Sequence, residues 1–174
     1  MSQLPTRIDP IVIAAETRVL EGLLPLAGMP RVRAIVEQPL GMVKLRLRGA
    51  VDEADRSLLL GHVEAHINLQ CQRCLQAVAV QIDTDFALAV VHSEREAALL
   101  ADDYEPLLVP QGGDVSLAEL IEDEVLLNLP VVARHEVNEC ATDAQGVSTD
   151  TAVAADDVYQ PFAGLADLLA KRPD

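Results

Sequence analysis

Tryptophan is absent from the 174 residues, and Phe86, Tyr104, Tyr159 and Phe162 are the only aromatic side chains apart from histidine. A single-stranded RNA binder that stacks bases on a platform of rings is thereby excluded. Positive charge is scarce too: 13 Lys and Arg stand against 28 Asp and Glu, a net charge of −15. Phosphate is repelled at long range, and basic proteins are the natural partners. No run approaches the ~20 apolar residues that span a bilayer, and MSQLPTRIDP lacks the apolar stretch of a secretory signal. A cytoplasmic protein is expected. Glycine-rich phosphate loops, nucleophile elbows and H-E-x-x-H are missing as well, so nothing in the chain asks to be an enzyme.

What is present reads as one α+β core over residues 1–140, an acidic disordered linker over 141–158 and an amphipathic segment over 159–174. Repeated prolines break the first 39 residues, with AAETRVLEGLL read as a short helix between two of them. In MVKLRLRGAV, Val43, Leu45 and Leu47 alternate with Lys44, Arg46 and Arg48, the period of a strand with one wet face. HVEAHINLQC and VAVQIDTDFALAVV repeat that period. An antiparallel meander or partly closed barrel follows, packed against one main helix. The helix is SLAELIEDEVLLNLP, where Ser116 and Glu119 have capping-box spacing and Pro130 ends the run.

The few cysteines are arranged with purpose. Cys71 and Cys74 have knuckle spacing beside a hairpin turn, and RHEVNEC supplies His135 and Cys140 beyond the helix. Three sulfurs and one imidazole make a closed tetrahedral set for a structural zinc, clamping the hairpin to the segment after the helix. The competing readings are a core-facing Cys71 with ordinary thiols at Cys74 and Cys140, or a redox Cys-x-x-Cys. Strand-like flanks argue against the redox motif, which belongs at a helix N-terminus.

Two surfaces are candidates for partners. The acidic one comprises Tyr104, Glu105 and Pro106 in a loop, the outer helix face with Glu119, Glu122 and Asp123, and the apolar stripe Phe162, Leu165, Leu168 and Leu169 of the terminal segment. The basic one is Arg31, Arg33, Lys44, Arg46 and Arg48, which would take RNA unless local acids pair with it. A metal-dependent ribonuclease using Glu119, Glu122, Asp123 and Glu124 of the acidic helix is a further alternative, although these carboxylates read first as a capped, solvated face and need others from elsewhere to converge with.

With RIDP, LQCQRCLQ, DDYEPL, LAELIEDEVLLNLPVVARHEVNEC and QPFAGLADLL in order along the chain, the sequence resembles the large ribosomal RNA subunit accumulation protein family, YceD. The resemblance implies a bacterial, non-enzymatic factor that supports synthesis, processing or stability of 23S ribosomal RNA. It implies a partner among ribosome-assembly or rRNA-processing proteins, in particular a basic large-subunit ribosomal protein. The acid excess makes RNA contact indirect.

Overall fold

The computed structural model describes residues 4–37, 41–100, 103–109, 113–136 and 139–140. These belong to a compact unit, Met1–Cys140; the linker and amphipathic segment expected over 141–174, with Phe162, Leu165, Leu168 and Leu169, lie outside the described residues.

Alternation builds the sheet. Strands β3 (Met42–Val51), β4 (Ser57–Gln70) and β5 (Ala77–Val91) form the expected antiparallel meander. Register puts Val43, Leu45 and Leu47 on the same side as Val63, Ala65, Ile67 and Leu69 and as Val78 and Ile82, and all are buried. The helix expected over AAETRVLEGLL does not form there: α1 is Pro10–Ala15, which ends two residues into that stretch and is capped by Asp9, whose carboxylate accepts from the Ile11 and Val12 amides. Thr17, at φ 48°, turns the chain. Val19–Pro25 then runs as β2, antiparallel to β3, because Leu20, Leu24 and their neighbours gain a ladder there that an exposed helix would not supply.

On the other side of the meander β6 (Glu105–Leu108) pairs with β5 in parallel, so the sheet is mixed, ordered β2-β3-β4-β5-β6, and does not close into a barrel. The stretch around Tyr104–Pro106, read as loop, is thus partly strand, and the Arg56 guanidinium stands 5.3 Å from the Tyr104 ring centroid. Helix α4 (Leu117–Leu127) starts as its sequence predicts, the Glu119 amide donating to Ser116 Oγ at 3.4 Å. Leu117, Leu120, Ile121 and Val125 enter the core that the sheet contributes. A two-stranded ribbon, β1 (Arg7–Ile8) with β7 (Val115–Ser116), ties the start of the chain to the start of α4. Short helix α2 (Pro30–Arg33) packs on α4, and α3 (Glu94–Ala97) follows β5.

Two glycines mark close approaches. A Cβ at Gly49 would stand 2.0 Å from the Ile13 carbonyl oxygen, so α1 can lie on β3 only over a bare backbone. A Cβ at Gly61 would stand 1.9 Å from Phe86 Cζ; the ring occupies the space a side chain would need.

Candidate functional site

The β4–β5 connection is a tight knuckle. Cys71 N–H donates to the Gln76 carbonyl at 2.8 Å, Leu75 N–H to the Cys71 carbonyl at 2.9 Å, and Leu75 sits at φ 61°, left-handed and exposed. The Gln72 amide donates to the Ala133 carbonyl at 2.9 Å, stitching the knuckle to the chain that leaves α4. That stitch brings the two halves of the motif together. Ligand atoms of Cys71, Cys74, His135 and Cys140 all lie within 4.8 Å of one another.

The distances suit a tetrahedral ion. Zinc bonds of roughly 2.3 Å to sulfur and 2.0–2.1 Å to nitrogen imply edges of about 3.8 Å between sulfurs and about 3.5 Å between sulfur and nitrogen. Cys71 Sγ and Cys140 Sγ are 3.7 Å apart, and His135 Nδ1 lies 3.4 Å from Cys74 Sγ and 3.9 Å from Cys140 Sγ. His135 Nε2 stands 3.0 Å from the Ala77 carbonyl and is therefore its donor, which leaves the Nδ1 lone pair facing the sulfurs. The three cysteines are free thiols, with Cys71 buried and the others half-buried.

Electrostatics favour thiolate character at the centre. Burial pushes the Cys71 thiol up, but the amides of Cys74, His135 and Arg73 and the His135 ring outweigh it and bring it down to about 5. The Gln76 amide leads the lowering at Cys74, against desolvation. His135 is raised, first by Cys71. Cys140 is raised by desolvation in spite of Arg73. Arg73 was missed in reading the sequence although it lies inside the Cys-Gln-Arg-Cys motif. Its Nε donates to Cys140 Sγ at 2.8 Å, and its terminal nitrogen to the His135 and Glu136 carbonyls at 3.2 and 3.0 Å. It offsets negative charge on the sulfurs and braces the incoming segment.

The acidic helix is divided differently from the expectation. Glu122, placed on the outer face by its sequence position, is 1% exposed. Its carboxylate accepts from the Arg31 and Val32 amides at 2.5 and 3.0 Å and from Arg31 Nε at 3.1 Å, satisfying the N-terminus of α2 from another helix. Asp123 is exposed and pairs with Arg31 at 2.5 Å, while Glu119 is exposed. Glu105 and Pro106 are exposed on β6, with Tyr104 half-buried before them.

The basic strip is not one patch. Arg31 is held by Glu122 and Asp123, and Arg33 lies on α2, apart from the strand. Lys44, Arg46 and Arg48 do share the exposed face of β3, but Lys44 pairs with Glu64 at 2.7 Å. Cross-strand register sets Glu21 and His62 on either side of Arg46, and His62 Nδ1 lies 2.8 Å from Asp85. Acids thus interleave the strip.

A cleft of about 890 Å³ opens where α4 passes the β5 edge, lined among others by Phe86, Asp103, Glu105, Glu124 and Leu127, with Arg46 and Arg48 on its far rim. Glu124, read with its helix neighbours as part of a solvated acidic face, is also placed differently. It is 5% exposed, and burial first, then Glu105 and Asp123, push its carboxyl up to about 7. Helical spacing had a signal for it: Leu117, Leu120, Ile121, Glu124 and Val125 fall on one stripe.

Comparison with known proteins follows the same blocks. The family model described as "Large ribosomal RNA subunit accumulation protein YceD" matches residues 59–169, more than half of the chain, and includes all four residues of the cysteine and histidine cluster. A protein of Haemophilus influenzae named "Large ribosomal RNA subunit accumulation protein YceD" is 27% identical over 172 residues, which cover 99% of this chain and 91% of that protein. No solved structure matches. With the cysteine knuckle, the α4 block and the Cys140 segment all inside the matched region, the chain belongs to the YceD family of large ribosomal RNA subunit accumulation proteins.

Proposed function

We propose that this protein is a non-enzymatic factor for accumulation of the large-subunit ribosomal RNA, that it acts by binding a basic protein of the assembling subunit, and that structural zinc on Cys71, Cys74, His135 and Cys140 holds its shape. Family membership supports the rRNA role, in the sense that the family's name carries. The observation that carries the protein-binding route is the balance of charge: −15 overall, with the cationic strip divided between two elements and interleaved with acids. Phosphate finds no continuous cationic surface among the described residues, whereas a basic protein meets acids on β5, β6 and α4.

Zinc adds a clamp and no open coordination position, consistent with a structural part. Glu122 and Asp123 are engaged with Arg31, and although Glu124 shares a cleft with Glu105 and Asp103, the side chains grouped closely enough to hold a metal among the described residues are those of the cysteine and histidine cluster, which supports the non-enzymatic reading over a metal-dependent ribonuclease. Capture of the tagged protein from its own cells, with and without ribonuclease, tests the reading. Retention of a basic large-subunit protein after ribonuclease is expected; loss of every partner would make RNA the tether and return attention to Arg46 and Arg48. Protein purified without chelator should hold close to one zinc per chain, and less than about a tenth of an equivalent would overturn the clamp.

A further inference from the structure

The sheet is unfinished on one side. β6 pairs only with Leu88–Val91, so among the described residues no strand lies against β5 from Val78 to Ala87 on that edge, about 33 Å of extended chain. Over the same stretch β5 makes no backbone hydrogen bonds to loops of the described chain. An edge of this length is a template for another strand.

Beside it lies an independent oddity. Glu124 is nine-tenths buried, yet no donor among the described residues reaches its carboxylate, and the cleft it lines meets this edge at Thr84–Ala87. A buried carboxylate without a hydrogen-bond donor is costly, and the charges that bear most on Glu124 are those of Glu105 and Asp123, with Arg46 and Arg48 on the far rim of the cleft. No buried side-chain oxygen is sealed from water and left unpaired, so this carboxylate opens into the cleft.

The geometry points to a docking site for an extended, basic segment of a protein partner, which adds a strand to the free edge of β5 and places a lysine or arginine side chain against Glu124. The inference rests on the protein-binding role proposed above and says where and how that partner is held. Period-two alternation gives the recognition its pattern. A residue directed to the α4 side meets Glu124, Glu105 and the faces of Phe86 and Leu127, while its neighbours on the other side meet Asp83 and Asp85. Cations on both faces of the incoming strand therefore find carboxylates. A second copy of this chain is a poor occupant, because pairing β5 with β5 would bring Asp83 and Asp85 of two copies together. RNA is poorer still, since it would set phosphates against the same acids. Arg46 and Arg48, across the cleft on β3, limit how far the cationic segment extends inward.

The test uses the full chain and a labelled peptide of about ten residues alternating lysine and valine. Controls are the glutamate-valine counterpart, the lysine-valine peptide N-methylated at alternate residues, and single-stranded RNA of similar length. Binding is read by fluorescence anisotropy and by hydrogen exchange at the β5 amides. Binding of the lysine peptide, protection confined to Val78–Ala87, and loss of both on N-methylation in one of the two alternating registers are expected. Glu124→Gln should weaken binding about tenfold, a single charge-assisted contact, while Asp123→Asn, which removes the same charge elsewhere on α4, should leave it within about twofold. Equal weakening by the two variants would reduce the effect to net charge and overturn the site. Protection already present in the free protein at the outward β5 amides, the alternate ones that β4 does not bond, or no change there with the peptide, would overturn it as well, as would tighter binding of the RNA. Failure here and failure of the functional reading are separable: ribonuclease-resistant capture of a basic large-subunit protein that is unaffected by Glu124→Gln would sink this site and leave that reading standing.

Discussion

Glu122 and Glu124 are two residues apart on one helix and both are buried, yet they live in opposite environments. The α2 side gives Glu122 two amides and a guanidinium; the cleft side gives Glu124 no donor among the described residues and sets Glu105 near it, with Arg46 and Arg48 on the far rim. The difference teaches that burial of an acid has two meanings. Where donors converge, the carboxylate is a structural tie between helices; where none do, it is held in readiness for a charge from outside the domain. The same contrast separates the ends of the β4–β5 hairpin. At the turn, ligands converge and the backbone is stitched; along the outer edge, hydrogen-bonding groups and an acid are left open.

The comparison breaks most visibly at Glu122. Glu122→Ala should cost about 3–4 kcal/mol in denaturant unfolding, because the α2 amides and Arg31 lose their acceptor together and the Arg31 charge loses its buried partner. A cost under about 1 kcal/mol would mean that α2 is not held by this contact.

Next in size, Glu124→Gln should stabilise the protein at neutral pH by about 1–2 kcal/mol, a figure kept low because the carboxylate meets water in the cleft. Its pH signature sharpens the contrast. The Glu124 carboxyl titrates near 7 in the folded chain and near the ordinary carboxylate value when unfolded. Between these values the folded state holds more protons, so stability contributed by the neutral form falls as pH rises through the window and is fully lost above 7. Asp83, Asp85, Asp103, Glu105, Asp123 and His62 are the charged and ionisable groups around the cleft besides Arg46 and Arg48. The informative quantity is thus the difference between wild type and Glu124→Gln across pH 4.5–7, which should shrink toward zero at the acid end. Glu122→Gln should show no gain at neutral pH.

The smallest effect belongs to the exposed neighbour. Asp123→Asn removes an ion pair with Arg31 at the surface and should change stability by less than about 0.5 kcal/mol. A loss as large as that of Glu122→Ala would erase the distinction between the buried and the exposed acid.

Zinc offers a parallel check at the other end of the hairpin. Cys71→Ser should release the metal and lower the thermal midpoint, whereas a chelator should leave the melting of that variant unchanged; equal chelator sensitivity in variant and wild type would place the metal elsewhere.

Alternation and spacing made part of this molecule legible in advance. Period-two runs fixed β3, β4 and β5 and their buried faces, Ser116 fixed the start of α4, and the Cys-x2-Cys with His135 and Cys140 named the four side chains that cluster closely enough to hold a metal, all through interactions local in sequence or encoded by residue type. Only the tertiary structure decided the rest. β2 became a strand because β3 offered it a ladder; β6 joined in parallel, leaving the sheet open; and Glu122 went inward because α2, ninety residues earlier in the chain, presented its free amides there. Glu124 shows both limits at once: the helical stripe of α4 determined that it would be buried, but whether a donor awaited it was a matter of which distant segments packed alongside, and none of the described ones supplies it.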